Sequence, residues 1–372
     1  MFDLVVVGGN ISGLSAAINA AERSVSTVVI ERNMEPLYPP RCGEGTDAVT
    51  WRLFEVEGCS RNEINSIKVN ITDSWSDVFK LARFRLIVFD RFCVEKKLLS
   101  KAESMGVQLI LGRRLKDFQP PYRIILDNGE SVEGKVVIDA SGISCQVGRR
   151  INISPLLKPV DVGICMQSRV EASFNKSMIH LWFHKPYAPF GYAWVFPINN
   201  RLANIGVGVP GGFGVNLEES LKGFIEYVTS GEGEVLSTFR ACVPTASPLT
   251  RVFKDNVMVV GDAARLVNPV FGKGISNAVF SGIIAGRVAA KYIQGEIDSL
   301  SLYQQIMEGK ISFIKKFYKK KVKSMRSEDI FIRSYKRVFS MLHGFHRLAP
   351  IFFENRVIHL LEKDVSLVEN FK

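Results

Sequence analysis

Cysteine and histidine are scarce and scattered in this sequence, which argues against several classes of protein. The six cysteines stand at positions 42, 59, 93, 145, 165 and 242 with no Cys-x-x-Cys pair, and there are five histidines. Zinc ligands usually come in closely spaced pairs, so no metal site is expected. A secreted disulfide framework is not expected either, and disulfides would fit only a hyperthermophilic source. Cys165 and Cys242 are expected to be small buried apolar residues.

Long apolar runs and targeting segments are also missing. No stretch approaches the roughly eighteen consecutive apolar residues that a membrane span requires. The N-terminus runs directly into a strand-like segment, Leu4 to Val7, so no signal peptide is expected. These absences predict a cytoplasmic protein.

Positive charge is in excess. The 372 residues include 48 Lys and Arg against 37 Asp and Glu, a net charge of +11, and 47% of them are hydrophobic. A chain of this size has room for two or three structural units around a large core. The charge predicts an anionic partner, such as a lipid head group or a pyrophosphate. Nucleic acid is not expected, because no DNA- or RNA-binding motif accompanies the charge.

The N-terminal segment has the pattern of a dinucleotide-binding βαβ unit. A buried strand, Phe2 to Val7, leads into a glycine-rich turn and then into an Ala-rich helix from Leu14 to Glu22. The second strand, Ser26 to Ile30, ends at Glu31, where a carboxylate usually binds the ribose hydroxyls. The helix N-terminus is expected to offer unpaired N–H groups to a pyrophosphate. The residues expected at the nucleotide are Gly8, Gly9, Ser12, Gly13 and Glu31.

Asn10 is the one departure from this pattern, since the G-x-G-x-x-G fingerprint has glycine there. Asparagine tolerates positive φ better than most residues that carry a side chain. Its side chain would nonetheless crowd the pyrophosphate. An α/β turn that binds no nucleotide is therefore the alternative interpretation of this segment.

Two later segments extend the nucleotide-binding pattern. Val136 to Gly142 is a buried strand that ends in small residues, where backbone can approach a ligand closely. A further strand, Asn256 to Val260, precedes Gly261-Asp262, a glycine-rich loop and an Ala/Gly-rich helix from Ser276 to Tyr292. Taken alone, Asp262 could be an ordinary helix N-cap.

The middle of the chain reads mainly as strands, which alternate in polarity and are separated by turn residues. This pattern predicts a largely antiparallel sheet. Tyr192, Trp194 and Phe196 recur at period two, so they share one face of a strand. They could form an aromatic ladder in the core or the wall of an apolar binding site. The predicted strands are Val162 to Ala172, Met178 to Phe183, Gly191 to Pro197 and Ala203 to Val209.

Two motifs connect these segments to a known family. The first is Tyr192-x-Trp194-x-Phe196-Pro197, eight residues, then Gly206-x-Gly208, and the second is Arg41-Cys42-Gly43-Glu44-Gly45. With the dinucleotide-binding start, they resemble the geranylgeranyl reductase family of flavoproteins, in particular the archaeal digeranylgeranylglycerophospholipid reductases. The resemblance implies an FAD enzyme that saturates isolated double bonds of geranylgeranyl chains in archaeal ether lipids or geranylgeranyl diphosphate.

The resemblance also implies an architecture. It is the α/β fold of p-hydroxybenzoate hydroxylase, in which a Rossmann-like FAD-binding domain carries an inserted antiparallel-sheet substrate domain and C-terminal helices. On this basis residues 1–66, 89–150 and 254–300 would form the FAD-binding domain. Residues 67–88 and 151–253 would form the substrate domain, and residues 301–372 a helical, basic C-terminal region.

Residue roles follow from the same resemblance. Besides the glycine turn and Glu31, cofactor contacts are implied for Arg41, Cys42, Gly43, Gly45, Arg91, Leu115, Asp262, Gly272, Gly274 and Ile275. Substrate contacts are implied for Tyr192, Trp194, Phe196, Pro197, Gly206 and Gly208. Cys42, Tyr192 and Trp194 are the expected catalytic residues. Cys42 is our candidate for the proton donor to the alkene, with Glu44 and Tyr192 as competitors.

The segment from Lys310 to Arg326 is strongly basic, with eight Lys or Arg and no Asp or Glu. Apolar residues recur in it near helical spacing. It could be a solvated helix that covers the FAD domain, or a helix that lies on an anionic membrane surface. The two interpretations are compatible.

Other functions stay open at this point. One is an FAD-dependent monooxygenase or halogenase of the same fold, although halogenases carry Trp-x-Trp-x-Ile-Pro where this chain has Tyr-x-Trp-x-Phe-Pro. Another is a prenyl-lipid-binding flavoprotein without catalysis. For a reductase the electron donor would be NAD(P)H or a ferredoxin-like protein. No separate nicotinamide-binding unit is visible, which favours a protein donor or transient nicotinamide docking.

Overall fold

The computed structural model describes residues 1–35, 42–72, 75–81, 83–121 and 123–348, with residues 359, 362–363, 366–367 and 370–371 near the C-terminus. The helices are α1 (Ile11–Ala21), α2 (Ala48–Trp51), α3 (Arg91–Ser104), α4 (Gln146–Arg150), α5 (Leu217–Thr229), α6 (Ile275–Ile293), α7 (Ser301–Ser324) and α8 (Glu328–Leu348). Short 3₁₀ turns occupy Arg52–Phe54, Gly142–Ser144, Pro159–Asp161 and Gly261–Ala264.

The strands of the described residues form three sheets. In chain order they are β1 (Phe2–Val7), β2 (Thr27–Glu31), β3 (Gly45–Asp47), β4 (Ser60–Ile64), β5 (Ser66–Ile71), β6 (Trp75–Lys80), β7 (Leu86–Phe89), β8 (Gln108–Leu111), β9 (Leu115–Gln119), β10 (Arg123–Leu126), β11 (Ser131–Asp139), β12 (Val162–Glu171), β13 (Met178–Phe183), β14 (Tyr192–Pro197), β15 (Leu202–Pro210), β16 (Glu234–Pro244), β17 (Phe253–Lys254) and β18 (Val257–Val259).

The first sheet has the order β17-β18-β11-β1-β2-β8, and the β9-β10 hairpin pairs with β11. Its central strands are parallel, from β8 through β18. Such strands are buried on both faces, which is why β1 and β2 read as continuous apolar runs. Leu4 and Val6 pack with Leu14 of α1 and Ile284 of α6 on one face. The glycine turn after β1 therefore lies at the carboxyl edge of this sheet, where ligands bind in doubly wound folds.

The second sheet has the order β16-β12-β15-β14-β13-β5-β6 and is antiparallel except for the β13–β5 pair. Its two faces carry different helices because alternate residues of β14 point to opposite sides. Ala193 and Val195 pack with Leu221 and Phe224 of α5. On the opposite face, an aromatic cluster joins Tyr192 to α8. The predicted fold class, a Rossmann-like domain with an inserted, largely antiparallel sheet and C-terminal helices, is confirmed.

A small third sheet has the strand order β3-β7-β4. Beside it, Cys59 and Cys93 form a disulfide across a sequence separation of 34 residues. This bond corrects the expectation drawn from the cysteine spacing, which could not reveal two residues that only the fold brings together. The expectation for Cys242 was also wrong, because this residue is exposed on β16, and Cys165 is only half-buried.

The C-terminal region begins as two long helices, α7 and α8. Their inner faces are apolar, with Tyr303, Met307 and Ile311 of α7 joining the core of the first sheet. In the part of the chain that the structure describes, every helix is too short or too polar to span a bilayer.

Candidate active site

The glycine turn after β1 lies next to Glu31. The Glu31 carboxylate accepts hydrogen bonds from the backbone N–H of Gly9 (2.8 Å) and of Asn33 (2.9 Å). Gly8 has a φ of +114°, and a Cβ atom there would stand 2.3 Å from the carbonyl oxygen of Ala140. Close packing of the turn on the end of β11 therefore requires glycine at position 8. The structure brings Gly8, Gly9 and Glu31 together at the edge of the first sheet.

Asn10 caps α1. Its Oδ1 accepts the backbone N–H groups of Ser12 (3.0 Å) and Gly13 (3.4 Å), and its Nδ2 donates to the Ala140 carbonyl (2.6 Å). With φ at −92° its backbone is extended, so tolerance of positive φ plays no part. Because of this cap the helix begins at Ile11, three residues before the predicted start at Leu14. The expectation that α1 offers unpaired N–H groups was wrong.

Glu95 binds the first N–H group of α1, which the Asn10 cap leaves unbonded. Its Oε1 accepts the N–H of Ile11 (3.3 Å) and the Nε–H of Arg91 (3.1 Å). The side chain is fully buried, and its Oε2 has no hydrogen-bond partner among the described residues. Burial raises the pKa of Glu95 to about 7, an effect that Arg91 only partly offsets. Sequence reasoning missed Glu95, which lies one helical turn after Arg91.

The turn after β18 adds a second carboxylate and a second helix terminus. Burial raises the pKa of Asp262 despite the nearby Arg91 cation. Gly274 is the N-cap residue of α6 and has no side chain, so no capping side chain accepts from the first N–H groups of that helix. The groups gathered here suit a flavin dinucleotide. They are the Arg91 cation, the carboxylates of Glu31 and Asp262, and the open N-terminus of α6 next to Gly272 and Ile275.

One of the predicted cofactor contacts is not brought to this place, and another is not among the described residues. Leu115 lies on β9 and is buried in an apolar cluster with Val5, Val7 and Ile124. Arg41 falls outside the described residues. For both residues the cofactor contact stays a prediction.

The aromatic residues of β14 share one face, as predicted. The ring centroids of Tyr192 and Trp194 are 5.7 Å apart, and those of Trp194 and Phe196 are 6.4 Å apart. The Tyr192 hydroxyl donates to the carbonyl of Phe271 (2.6 Å), directly before Gly272. Tyr192 therefore joins the aromatic strand to the glycine-rich loop. Pro197 is buried, and its carbonyl accepts from the Asn62 side chain (2.8 Å).

Gly206 and Gly208 make room for the indole of Trp194. A Cβ atom on Gly206 would stand 2.2 Å from Cζ2 of Trp194, and one on Gly208 would stand 3.3 Å from Cζ3. Trp194 itself is buried. The Gly-x-Gly part of the motif thus follows from packing on the neighbouring strand, whereas substrate contact by these glycines stays a prediction.

Gln167 joins Trp194 to the Cys42 loop. Its Oε1 accepts the indole N–H of Trp194 (2.9 Å), and its Nε2 donates to the carbonyl of Cys42 (3.0 Å). The ring of Phe196 lies against the same loop, where Cβ atoms on Gly43 and Gly45 would stand 3.2 and 3.1 Å from Cε2 of Phe196. The two sequence motifs are therefore packed and hydrogen-bonded to each other.

Glu44 ties this loop to the second sheet and to the start of α3. Its fully buried carboxylate accepts from Nη2 of Arg169 (2.6 Å), Nδ2 of Asn204 (2.9 Å) and the backbone N–H of Arg91 (3.2 Å). Charge-assisted hydrogen bonds of this kind commit both carboxylate oxygens to contacts within the protein. This pairing argues against Glu44 as the proton donor.

Cys42 is the remaining candidate for that role within this loop. Its Sγ accepts the backbone N–H of Glu44 (3.2 Å), and the side chain is half-buried. Burial raises the pKa of the Cys42 thiol, although the Arg91 cation nearby works in the opposite direction. At neutral pH the group is therefore a thiol that still carries its proton. Burial also raises the pKa of Tyr192, whose proton is engaged by Phe271.

The sequence did not single out Gln167, Arg169 or Asn204. The only signal was their polarity: Gln167 and Arg169 alternate along β12, and Asn204 lies within an apolar stretch of β15. Polar residues at inward positions of a sheet need buried partners. Their partners in the Cys42 loop are more than a hundred residues away in the chain, so the sequence could not name them.

Comparison with known proteins agrees with this geometry. Residues 161–243, which hold β12 to most of β16, match the family profile described as geranylgeranyl reductase catalytic domain. The chain is 30% identical to digeranylgeranylglycerophospholipid reductase 1 of Methanococcoides burtonii over 328 residues, which cover 82% of this chain and 78% of the relative. The chain belongs to the geranylgeranyl reductase family. The like-named protein of Methanopyrus kandleri is also 30% identical, over 82% of this chain and 85% of its own.

Solved structures agree with the fold of this geranylgeranyl reductase family member. A geranylgeranyl bacteriochlorophyll reductase-like protein of Thermoplasma acidophilum superposes with a TM-score of 0.82 at 24% identity, covering 97% of this chain and 99% of its own. The flavin-dependent brominase Bmp2 superposes with a TM-score of 0.68 at 16% identity, covering 97% of this chain and 93% of its own. These superpositions show the fold of flavin-dependent enzymes. Membership of the reductase family makes the chain an oxidoreductase.

Proposed function

We propose that the protein is an FAD-dependent reductase that saturates isolated double bonds of geranylgeranyl chains, in archaeal ether lipids or in geranylgeranyl diphosphate. The observation that carries this proposal is the joining of the aromatic strand to the Cys42 loop through Gln167. This joining supports a site in which a prenyl chain on an apolar wall meets a thiol and a flavin. A prenyl chain suits an aromatic wall because each buried CH₂ contributes about 0.8 kcal/mol.

FAD, when bound and reduced, would supply the hydride for one carbon of the double bond. Arg91 would hold the pyrophosphate charge, Glu31 the ribose hydroxyls and Asp262 the ribityl chain. Glycines at 272 and 274 would let the backbone approach the flavin ring. The Cys42 thiol would give its proton to the other carbon of the double bond and regain it from solvent. Arg91, close to Cys42, would stabilise the thiolate between these events.

The partners that we propose with this function are a prenyl lipid, an electron donor and a membrane surface that presents the lipid. The donor would be NAD(P)H or a ferredoxin-like protein.

The test is an anaerobic spectrum. The purified protein should carry flavin, and dithionite should bleach it. Adding a geranylgeranylated lipid without air should then restore the oxidised flavin spectrum. A flavin that stays reduced until air is admitted, followed by oxygen in the product, would instead identify a monooxygenase. A protein that binds the lipid but never reoxidises its flavin would be a lipid-binding flavoprotein.

A further inference from the structure

The net charge of the protein is concentrated in two helices. Residues 310–337 contain eleven Lys or Arg and two acidic residues, a net charge of +9 in a chain whose total is +11. Two of these cations face inward: Lys310 lies over the ring of Phe280, and Lys321 is buried. The other nine are exposed along α7 and α8. The rest of the chain is nearly neutral, so this segment is the part that attracts anions.

Large apolar side chains are exposed among these cations. Their exposed fractions are 54% for Phe313, 52% for Val322, 41% for Ile330, 42% for Val338 and 69% for Met341. An α-helix turns by about 100° per residue, so Ile330, Arg337 and Met341 fall within about 40° of one another on α8. Apolar groups among basic ones are typical of helices that lie at a lipid interface.

The inner face of α8 covers the aromatic side of the second sheet. Phe331, Tyr335 and Phe339 are buried there with Phe183, and Tyr192 packs on the same cluster. The Tyr335 and Phe183 ring centroids are 4.4 Å apart. The Tyr335 hydroxyl donates to the carbonyl of Val270 (3.3 Å), next to the Phe271 carbonyl that Tyr192 binds. One helix thus separates the exposed basic surface from the candidate site.

We propose that the outer face of α8, with the adjoining exposed cations of α7, binds an anionic lipid bilayer and places the aromatic cluster next to the membrane. Charge complementarity selects this occupant, because nine exposed cations with interspersed apolar side chains match negative head groups above acyl chains. That the bilayer also delivers the substrate rests on the proposed function, whereas binding to the bilayer does not.

The test is cosedimentation of the full chain with vesicles. One preparation is phosphatidylcholine alone, and the other contains equal amounts of phosphatidylcholine and phosphatidylglycerol. We expect binding to the anionic vesicles only. Raising the salt from about 0.1 M to about 1 M, which shortens the Debye length from about 10 Å to about 3 Å, should release most of the protein. Equal binding to both preparations, or binding to neither, would overturn the proposal.

Matched variants locate the surface. Arg333→Glu with Arg337→Glu should weaken binding to anionic vesicles at least about tenfold, since each basic group near the surface contributes appreciably. Met341→Gln with Val338→Gln should weaken it further when combined with them. The control is Lys176→Glu with Lys222→Glu, which changes the charge equally in the loop before β13 and on α5, a helix on the opposite face of the sheet. An equal loss in the control would refute a specific surface.

A separate arm distinguishes this inference from the proposed function. Wild-type protein is assayed with geranylgeranylated lipid dispersed in detergent, where no bilayer is needed. Reduction in detergent without vesicle binding would overturn the membrane surface alone. Vesicle binding without reduction would leave the surface standing and refute the proposed function.

Discussion

Trp194 and Cys42 are both hydrogen-bonded to the buried side-chain amide of Gln167. The indole N–H uses the amide oxygen, and the Cys42 carbonyl accepts from the amide nitrogen. Gln167 has 2% of its surface exposed, so water cannot replace either bond. The relationship turns two separate sequence motifs into one unit, in which the aromatic strand fixes the position of the thiol loop.

Replacing Gln167 should release this loop. In Gln167→Leu two buried polar groups lose their partners, at a cost of about 2–4 kcal/mol in the free energy of unfolding. Activity should fall roughly tenfold to a hundredfold, because small displacements at a reacting centre are costly. The direct readout is the rate of Cys42 alkylation by iodoacetamide, followed by peptide mass mapping, which should rise severalfold.

The control is Gln304→Leu. Gln304, which lies on α7, likewise accepts one hydrogen bond, from the Val252 N–H (2.9 Å), and donates another, to the Thr250 carbonyl (3.2 Å), but neither partner belongs to the Cys42 loop. It should lower stability without changing the Cys42 alkylation rate. If both variants alter that rate alike, Gln167 has only a general structural role.

Gly206 should tolerate no side chain. In Gly206→Ala the new methyl group would meet the Trp194 ring at 2.2 Å, so either the indole or the strand must move. We expect a loss of about 3 kcal/mol or more in the free energy of unfolding, measured by urea denaturation. Gly309→Ala is the control, since a Cβ there meets nothing within 4 Å on α7. It should stabilise the helix by up to about 1 kcal/mol. Equal effects of the two changes would contradict the packing role of Gly206.

Asn10→Gly should tighten FAD binding. The change removes the acceptor that engages the N–H groups of Ser12 and Gly13, so both become available to the pyrophosphate. We expect about fivefold to tenfold higher affinity, measured by quenching of flavin fluorescence on titration of the apoprotein.

Asn216→Gly provides the comparison for this change. Asn216 caps α5 through the N–H groups of Glu218 and Glu219. Asn216→Gly should lower the free energy of unfolding by about a few tenths of a kcal/mol and leave the FAD affinity unchanged. Unchanged or weaker FAD binding by Asn10→Gly would show that the cap does not compete with the nucleotide.

Lys321 should make the stability depend on pH. Its buried ammonium donates hydrogen bonds to the carbonyls of Val160 (3.0 Å) and Thr245 (2.8 Å). Burial lowers the pKa of Lys321 from 10.5 to about 8. Between those values the unfolded chain binds more protons than the folded one, so stability rises with pH across that window. The rise from this group is at most roughly 3 kcal/mol.

Urea denaturation at pH 8 and pH 10 measures this effect. The difference between wild type and Lys321→Met should grow in favour of the wild type as the pH rises. Lys319→Met, at an exposed position of the same helix, should show no such trend. A parallel pH dependence in all three proteins would rule out Lys321 as the source.

Much of the fold could be predicted from local pattern. The strand Met178–Phe183 was predicted with the bounds that the structure shows, and β14 differs by one residue. The shared face of Tyr192 and Trp194 followed from the period of a strand. These features depend on neighbours along the chain, and alternation or glycine turns record them directly.

The site could be predicted only where a motif carried it. The partners of Glu44 lie 125 and 160 residues away, and only the packed sheets bring them to one carboxylate. Asn10 was recognised as a departure from the glycine pattern, but its capping role depends on the Ala140 carbonyl at the end of another strand. Buried hydrogen bonds between distant segments leave no local periodicity, which is why sequence reasoning missed them.

The mass of the lipid product decides whether the protein is a reductase of geranylgeranyl chains. Dithionite-reduced protein is incubated without air with a geranylgeranylated ether lipid, and the lipid is then weighed by mass spectrometry. We expect a gain of two hydrogen atoms for each double bond saturated, with a lower rate in Cys42→Ala. A lipid of unchanged mass after the reduced, flavin-loaded protein has bound it would contradict the assignment as a reductase of geranylgeranyl chains.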